Sequence, residues 1–163
     1  MHYNAIENHH SLKHDPFKAL VAPRPIGWIS SLSPDGILNL APYSFFNAVS
    51  DQPHYVMFVS SGRKDSLYNV ESTGEFTCSL STWDTRDGMN ISSATVPADS
   101  DEFQLTGLET SPSNFVAPPR VKAAPAALEC KLWKTLEMPD VAPASDRGHF
   151  VVFGQVVGIY IDD

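Results

Sequence analysis

The run Ser60-Ser61-Gly62-Arg63-Lys64-Asp65-Ser66 gathers hydroxyls and two cations immediately before residues that cap and start a helix. Free backbone N–H groups at a helix N-terminus, a hydroxyl and paired positive charges together make a phosphate site. The same residues also suit a solvated turn with an ordinary serine cap. Ala41-Pro42-Tyr43-Ser44-Phe45-Phe46-Asn47 alternates hydrogen-bonding groups with large aromatics. A flat heteroaromatic ligand needs that mixture, apolar surface for its faces and placed donors and acceptors for its edge; core packing is the other reading. In Pro23-Arg24-Pro25-Ile26-Gly27-Trp28-Ile29-Ser30, two prolines restrain the backbone around Arg24 and Gly27 permits close approach. A surface arginine between prolines is the alternative there.

Charge singles out the first of these segments. The net charge is −8 with a pI near 5.1, which argues against nucleic-acid or anionic-membrane partners, since these require clustered Lys and Arg. The eleven Lys and Arg are scattered singly except for Arg63-Lys64, so an acidic chain that held a phosphate would hold it there. His10 and His14 stand four apart and could share a helix face as metal ligands. A flexible N-terminal segment explains them better, because no His-Glu-x-x-His, cysteine cluster or carboxylate set supports a metal site. A G-x-S-x-G elbow and a glycine-rich dinucleotide fingerprint are also missing. Cys78 and Cys130 lie in alternating apolar stretches and are expected as buried strand residues, which suits a reducing compartment. No run reaches the ~18 apolar residues of a membrane span and the N-terminus has no apolar signal core, so a cytoplasmic protein is expected.

The elements that must position these residues are short. Length fits one domain, and thirteen prolines and nine glycines disfavour long helices. Strands are expected over Ile26 to Leu32, Ile37 to Leu40, His54 to Ser60, Glu75 to Ser81, Ala126 to Glu137 and His149 to Asp162. Ser33-Pro34-Asp35-Gly36 is the turn of a first hairpin. The near-continuous apolar run from His54 to Ser60 suggests burial on both faces. Asp65 to Thr73 reads as a helix with an Asp65 or Ser66 cap and a stop at Gly74. A second helix is expected within Thr82 to Ser93. Val96 to Pro125 reads as a long loop with one helical turn near Asp101 to Leu105, of the kind that covers a site or a partner. Met138 to Arg147 links the last two strands. About six strands, two or three short helices and no regular βαβ alternation make a mainly β fold, an antiparallel barrel or sandwich. The apolar final strand ends at Ile161-Asp162-Asp163, so a partner subunit or a further C-terminal segment is expected to cover that edge.

Four segments, PRPIGWIS, APYSFFN, SSGRKDSLYNV with its following TGEF, and DEFQLTGLE, resemble the flavin reductase-like family, and in its usual order. The resemblance runs from about His14 to the last residue. It implies an FMN-binding antiparallel split β-barrel of Greek-key type over residues 15–163, with 1–14 as an N-terminal extension, in a family that commonly continues beyond the residue matching Asp163. On that resemblance Arg24, Trp28, Ile29 and Ser30 line the flavin, partly through backbone groups. Ser44, Phe45 and Asn47 hydrogen-bond its ring and ribityl parts, and Ser60, Ser61, Arg63, Lys64 and Ser66 hold its phosphate. The family often carries Gly-Asp-His entering the last strand. Here the residues are Arg147-Gly148-His149 with Asp146 displaced by one, so His149 is a candidate to orient substrate or tune the flavin, or else a strand cap. The implied activity is hydride transfer from NADH or NADPH to FMN, in a homodimer whose flavin lies near the subunit interface, with reduced FMN or its electrons passing to a partner. The rivals are a flavoredoxin-like electron carrier without NAD(P)H oxidation and a cofactor-free interaction module.

Overall fold

Ser33-Pro34-Asp35-Gly36 forms the expected turn: the Gly36 N–H donates to Ser33 O at 2.9 Å and the Ile37 N–H to Ser33 Oγ at 3.0 Å. It joins β1 (Gly27–Leu32) to β2 (Leu38–Tyr43) as an antiparallel hairpin, Leu32 opposite Leu38 and Gly27 opposite Tyr43. The computed structural model describes residues 1–139 and 148–163. Its remaining elements are α1 (Phe17–Leu20), β3 (Phe46–Asp51), β4 (His54–Ser61), α2 (Asp65–Thr73), β5 (Glu75–Leu80), α3 (Arg86–Ile91), α4 (Glu102–Thr106), β6 (Thr110–Ser111), β7 (Arg120–Val121), β8 (Ala126–Glu137) and β9 (His149–Ile161). From residue 140 on, the expected linker over 138–147 lies outside the described residues, and so do Asp146 and Arg147.

All six expected strands are present, and three more are found. β3 follows β2 after two residues, where only an aromatic segment was expected. β6 and β7 pair as a small ribbon inside the long loop. The helices number four among the described residues, the extra one being the single turn α1. The seven main strands form one antiparallel sheet in the order β2-β1-β5-β8-β9-β4-β3. β2 and β3, at opposite ends of that order, are joined by Ser44-Phe45 alone, so the sheet must roll until its two edges meet. Val59 N–H donates to Phe45 O at 2.9 Å and pins the corner to β4. No ladder joins β2 to β3, which leaves a split barrel.

The barrel core holds Ile29, Tyr43, Val56, Phe58, Phe76, Cys130 and Val152, with Leu67 and Val70 of α2 laid against it. Tyr43 meets Phe58 with ring centroids 4.7 Å apart, and Phe58 meets Phe76 at 5.5 Å, edge to face, the spacing favoured by aromatic quadrupoles. Trp28, Leu40, Phe103, Val121 and Ala124 make a second cluster under the long loop. β4 is not buried equally on both faces as its composition suggested. Val56, Phe58 and Ser60 are buried while Tyr55, Met57 and Val59 are half-buried, because only one face meets the barrel interior. α2 stops where expected: Gly74 takes φ +77°, a left-handed conformation, and its N–H caps Val70 O at 2.9 Å. No helix among the described residues is long and apolar enough to cross a membrane.

Candidate functional site

Two chain corners meet at one end of the barrel. β2 leaves it through Tyr43-Ser44-Phe45, and β4 leaves through Ser61-Gly62-Arg63-Lys64 into α2. Between them opens a cavity of about 500 Å³, within the roughly 300–1,000 Å³ typical of small-molecule sites. The expected site residues Ser44, Phe45, Ser61, Arg63, Lys64 and Ser66 line it. The segment Ser92 to Val96 after α3 forms the facing wall.

The start of α2 differs from the sequence expectation in one respect. The N-cap position is Lys64, which makes no side-chain cap, and Ser66 lies inside the helix with its hydroxyl turned to Asn39 Oδ1 at 2.6 Å. The first helical N–H to find a carbonyl one turn back is that of Tyr68, to Lys64 O at 3.0 Å. The amides of Asp65, Ser66 and Leu67 therefore precede the helical ladder, as donors at an N-terminus do. Arg63 pairs with Glu71 at 2.8 Å and lies 4.9 Å from the Phe150 ring centre. Its side chain is 62% exposed, and an exposed pair of this kind is worth only about 0–1 kcal/mol, so the guanidinium is easily re-aimed at an anion. Lys64 has no ion-pair partner among the described residues.

The interior wall is polar. Tyr43 is buried, and its hydroxyl has no hydrogen-bond partner in good geometry. Burial raises its pKa, against the opposing influence of the nearby Ser66 and Ser60 hydroxyls. Glu102 of α4 is also buried and lines the cavity. Its Oε1 accepts from Asn39 Nδ2 at 3.0 Å and its Oε2 from Leu40 N–H at 2.9 Å. Burial raises the Glu102 pKa, and those donors pull it back. Asp101 caps α4 by accepting from Phe103 N–H at 2.8 Å and Gln104 N–H at 3.3 Å, which fixes where Glu102 projects.

The other expected residues stand around the cavity, not on its wall. Arg24 lies 5.9 Å from the Phe45 ring centre and donates to the Lys18 carbonyl. Ile29 is packed in the barrel core and Trp28 in the second cluster. Trp28 touches the site indirectly, since its indole N–H donates to Ser92 Oγ at 2.9 Å and so anchors the facing wall. Ser30 is fully buried with a hydroxyl lacking a partner. Asn47 points outward on β3, its Oδ1 accepting from Ala48 N–H at 2.9 Å. The Ser60 hydroxyl donates to Gly62 O at 2.8 Å and shapes the turn before Arg63. His149 opens β9 directly opposite Ser61, beside Gly148, whose carbonyl accepts from Gly62 N–H at 3.0 Å. Among the described residues no cluster of three or more metal-ligating side chains occurs.

Sequence reasoning missed Glu102, Asn39, Lys18 and the Ser92 to Val96 wall. Ser92-Ser93-Ala94-Thr95 is rich in hydroxyls, a signal that was there to use. Glu102 lies in the DEFQLTGLE segment, but neither it nor Asn39 stood out by residue type or spacing, because each is a common polar residue until the fold buries it. The cavity thus joins an aromatic corner, a helix N-terminus with two cations, and a buried polar wall with an orphaned hydroxyl. It fits a ligand with a flat ring, an anionic end and polar groups between.

Comparison with known proteins agrees with this geometry. Residues 20–163 match the model of the flavin reductase like domain. An uncharacterized protein of Aquifex aeolicus is 40% identical over 149 residues, covering 88% of this chain and 72% of the relative. The crystal structure of nitrilotriacetate monooxygenase component B from Bacillus cereus superposes with a TM-score of 0.87 at 27% identity, over 100% of this chain and 82% of the other. A putative flavin reductase with a split barrel domain from Shewanella frigidimarina superposes at 0.84 and 20% identity, over 100% and 81%, and shares the fold.

Proposed function

We propose a function from one premise: this chain belongs to the flavin reductase-like family, whose model it matches over residues 20–163. The chain binds FMN in the cavity between the β2–β3 corner and α2, and acts as an oxidoreductase through it. The observation that carries this reading is the conjunction at one cavity of Phe45 with Arg63, Lys64 and the free amides that open α2. Arg63, Lys64 and the Ser61 and Ser66 region hold the phosphate; Ser44 and Phe45 meet the ring. Ser60 keeps the turn in shape and Trp28 keeps Ser92 in the wall. Arg24, Ile29, Ser30 and Asn47 support the ring's surroundings, and His149 stands where it could meet a substrate entering beside Ser61.

Bound there, FMN would supply the redox chemistry, taking hydride from NADH or NADPH and passing electrons on. The protein's part is to bind, orient and exclude water. The chain acts as a homodimer in the cytoplasm, and its electrons go to a separate acceptor.

The test is an absorption spectrum before and after adding FMN and removing the excess by gel filtration. A retained flavin band that disappears in Arg63→Ala/Lys64→Ala, with FMN-dependent NAD(P)H oxidation in the parent, is the expected result. Flavin retained through dialysis without NAD(P)H oxidation would make the chain an electron carrier. No retained flavin and no FMN-dependent oxidation would leave an interaction module.

A further inference from the structure

Beneath the cavity, Asn39 of β2 is the hub of a buried network that joins two helices to the first hairpin. Its Oδ1 accepts from Ser66 Oγ of α2 at 2.6 Å and from Ser31 Oγ of β1 at 3.3 Å. Its Nδ2 donates to Glu102 Oε1 of α4 at 3.0 Å. Asn69, further along α2, donates from its Nδ2 to Ser31 Oγ at 3.2 Å. All of these side chains are buried. A buried polar group left unpaired is costly, so a network of satisfied ones holds the elements it joins in one arrangement.

Ser66 is the member that bears on a ligand. The resemblance places it at the phosphate, where a serine would be expected to donate its hydroxyl. The structure gives that hydroxyl another task. Ser66 is 1% exposed, and a serine hydroxyl has one proton to donate. That proton goes to Asn39, which leaves none for a phosphate dianion, a group of acceptors alone. What Ser66 can offer an anion is its backbone N–H, which with those of Asp65 and Leu67 precedes the helical ladder. No side chain caps α2, so the Ser66–Asn39 bond ties its first turn to the sheet.

We propose that Asn39, acting through Ser66, is a positioning residue that aims the opening amides of α2 at the phosphate of the bound flavin. This rests on the flavin reading above and reassigns the Ser66 hydroxyl from ligand contact to structural tie. Glu102 holds Asn39 from the other side. Its own place is fixed by the Leu40 N–H at 2.9 Å and by the Asp101 cap of α4.

The experiment measures binding of FMN and of riboflavin, which lacks the phosphate, by equilibrium dialysis to the full chain and its variants, with a melting curve for each. The preference for FMN over riboflavin reads the phosphate alone. Ser66→Ala and Asn39→Ala should each lower that preference by about tenfold, the lower end for one hydrogen bond to a charged group. The double variant should lower it no further than the larger single loss, since both substitutions cut the same tie. Asn39→Leu, similar in shape to Asn and without hydrogen bonds, carries the same expectation if Asn39→Ala does not fold. Ser31→Ala breaks another bond of the network while leaving Ser66, Asn39 and Glu102 joined. It should lower Tm and leave the preference unchanged. A loss in Ser66→Ala with none at Asn39, or losses that add in the double variant, would put the hydroxyl on the phosphate and overturn the proposal. An unchanged preference in both single variants, or an equal fall in Ser31→Ala, would overturn it too. Each of these outcomes leaves the flavin reading in place, whereas a parent chain that binds neither flavin would overturn both.

Discussion

Arg63 and Lys64 are exposed cations whose value depends on what they face. Arg63 rests against Glu71 and Phe150, contacts that restrain the side chain without consuming much free energy. Replacing both by Ala is expected to cost FMN binding more than about tenfold, because charge-assisted hydrogen bonds to phosphate are the strong ones, and to leave thermal stability nearly unchanged. Gel filtration with FMN and a melting curve on the same sample check both halves. Cys78 behaves in the opposite way. Burial pushes its thiol up to about 12, and the Cys130 thiol is raised by burial and by Cys78 beside it. The thiolate is the reactive form, so neither cysteine should react with a thiol reagent at pH 8 in the folded protein, and both should react after denaturation. Fast reaction of one thiol in the native state would contradict the burial of the β5–β8 pair.

Gly27 shows how an element is held by one missing atom. It opens β1, and a Cβ there would stand 2.4 Å from Phe46 Cδ2. The expectation that Gly27 permits close approach holds, and the approaching group is the Phe46 ring at the start of β3. Gly27→Ala must push that ring away from the barrel and disturb the corner that presents Phe45. Such overpacking typically costs about 1–3 kcal/mol, or roughly 2–12 °C in Tm for a domain of this size. Flavin affinity should fall with it, through Phe45. An unchanged Tm would mean that the β1–β3 contact is looser than described. β3 itself was missed because Asn47-Ala48-Val49-Ser50-Asp51 is exposed along its whole length, so it shows no alternation between a buried and a solvent face. Its pairing with β4, not its own pattern, makes it a strand.

At the scale of the whole molecule, closing a rolled sheet leaves an outer surface that must be managed. Trp133 of β8 is 62% exposed; it packs edge to face with Tyr55 of β4 at 5.5 Å and with Phe153 of β9 at 5.8 Å. Three strands thus place aromatics side by side on the outer face, with Leu136 and Met138 also exposed nearby in sequence. The proposed homodimer gives such a surface something to cover. Light scattering at micromolar concentration should return twice the 17.9 kDa chain mass, and Trp133→Ser should shift it toward one chain if this face takes part. A single-chain mass for the parent would end the dimer proposal.

Much of this protein was legible in its amino acids. Alternation and turn residues located six strands, and Gly74 and Pro34-Asp35-Gly36 located two stops, because these signals act over a few neighbouring residues. Arg63-Lys64 stood out because a charge pair in an acidic chain is a local fact. What only the tertiary structure decided is what depends on distant partners. Trp28 and Ile29 belong to cores, and Trp28 serves the cavity only through Ser92, sixty-four positions away. Glu102 and Asn39 become a cavity wall only when α4 docks on β2, sixty-three positions apart in sequence. Spacing along the chain cannot encode such pairs, since an ordinary carboxylate becomes a buried, hydrogen-bonded wall residue only after the barrel has closed around it.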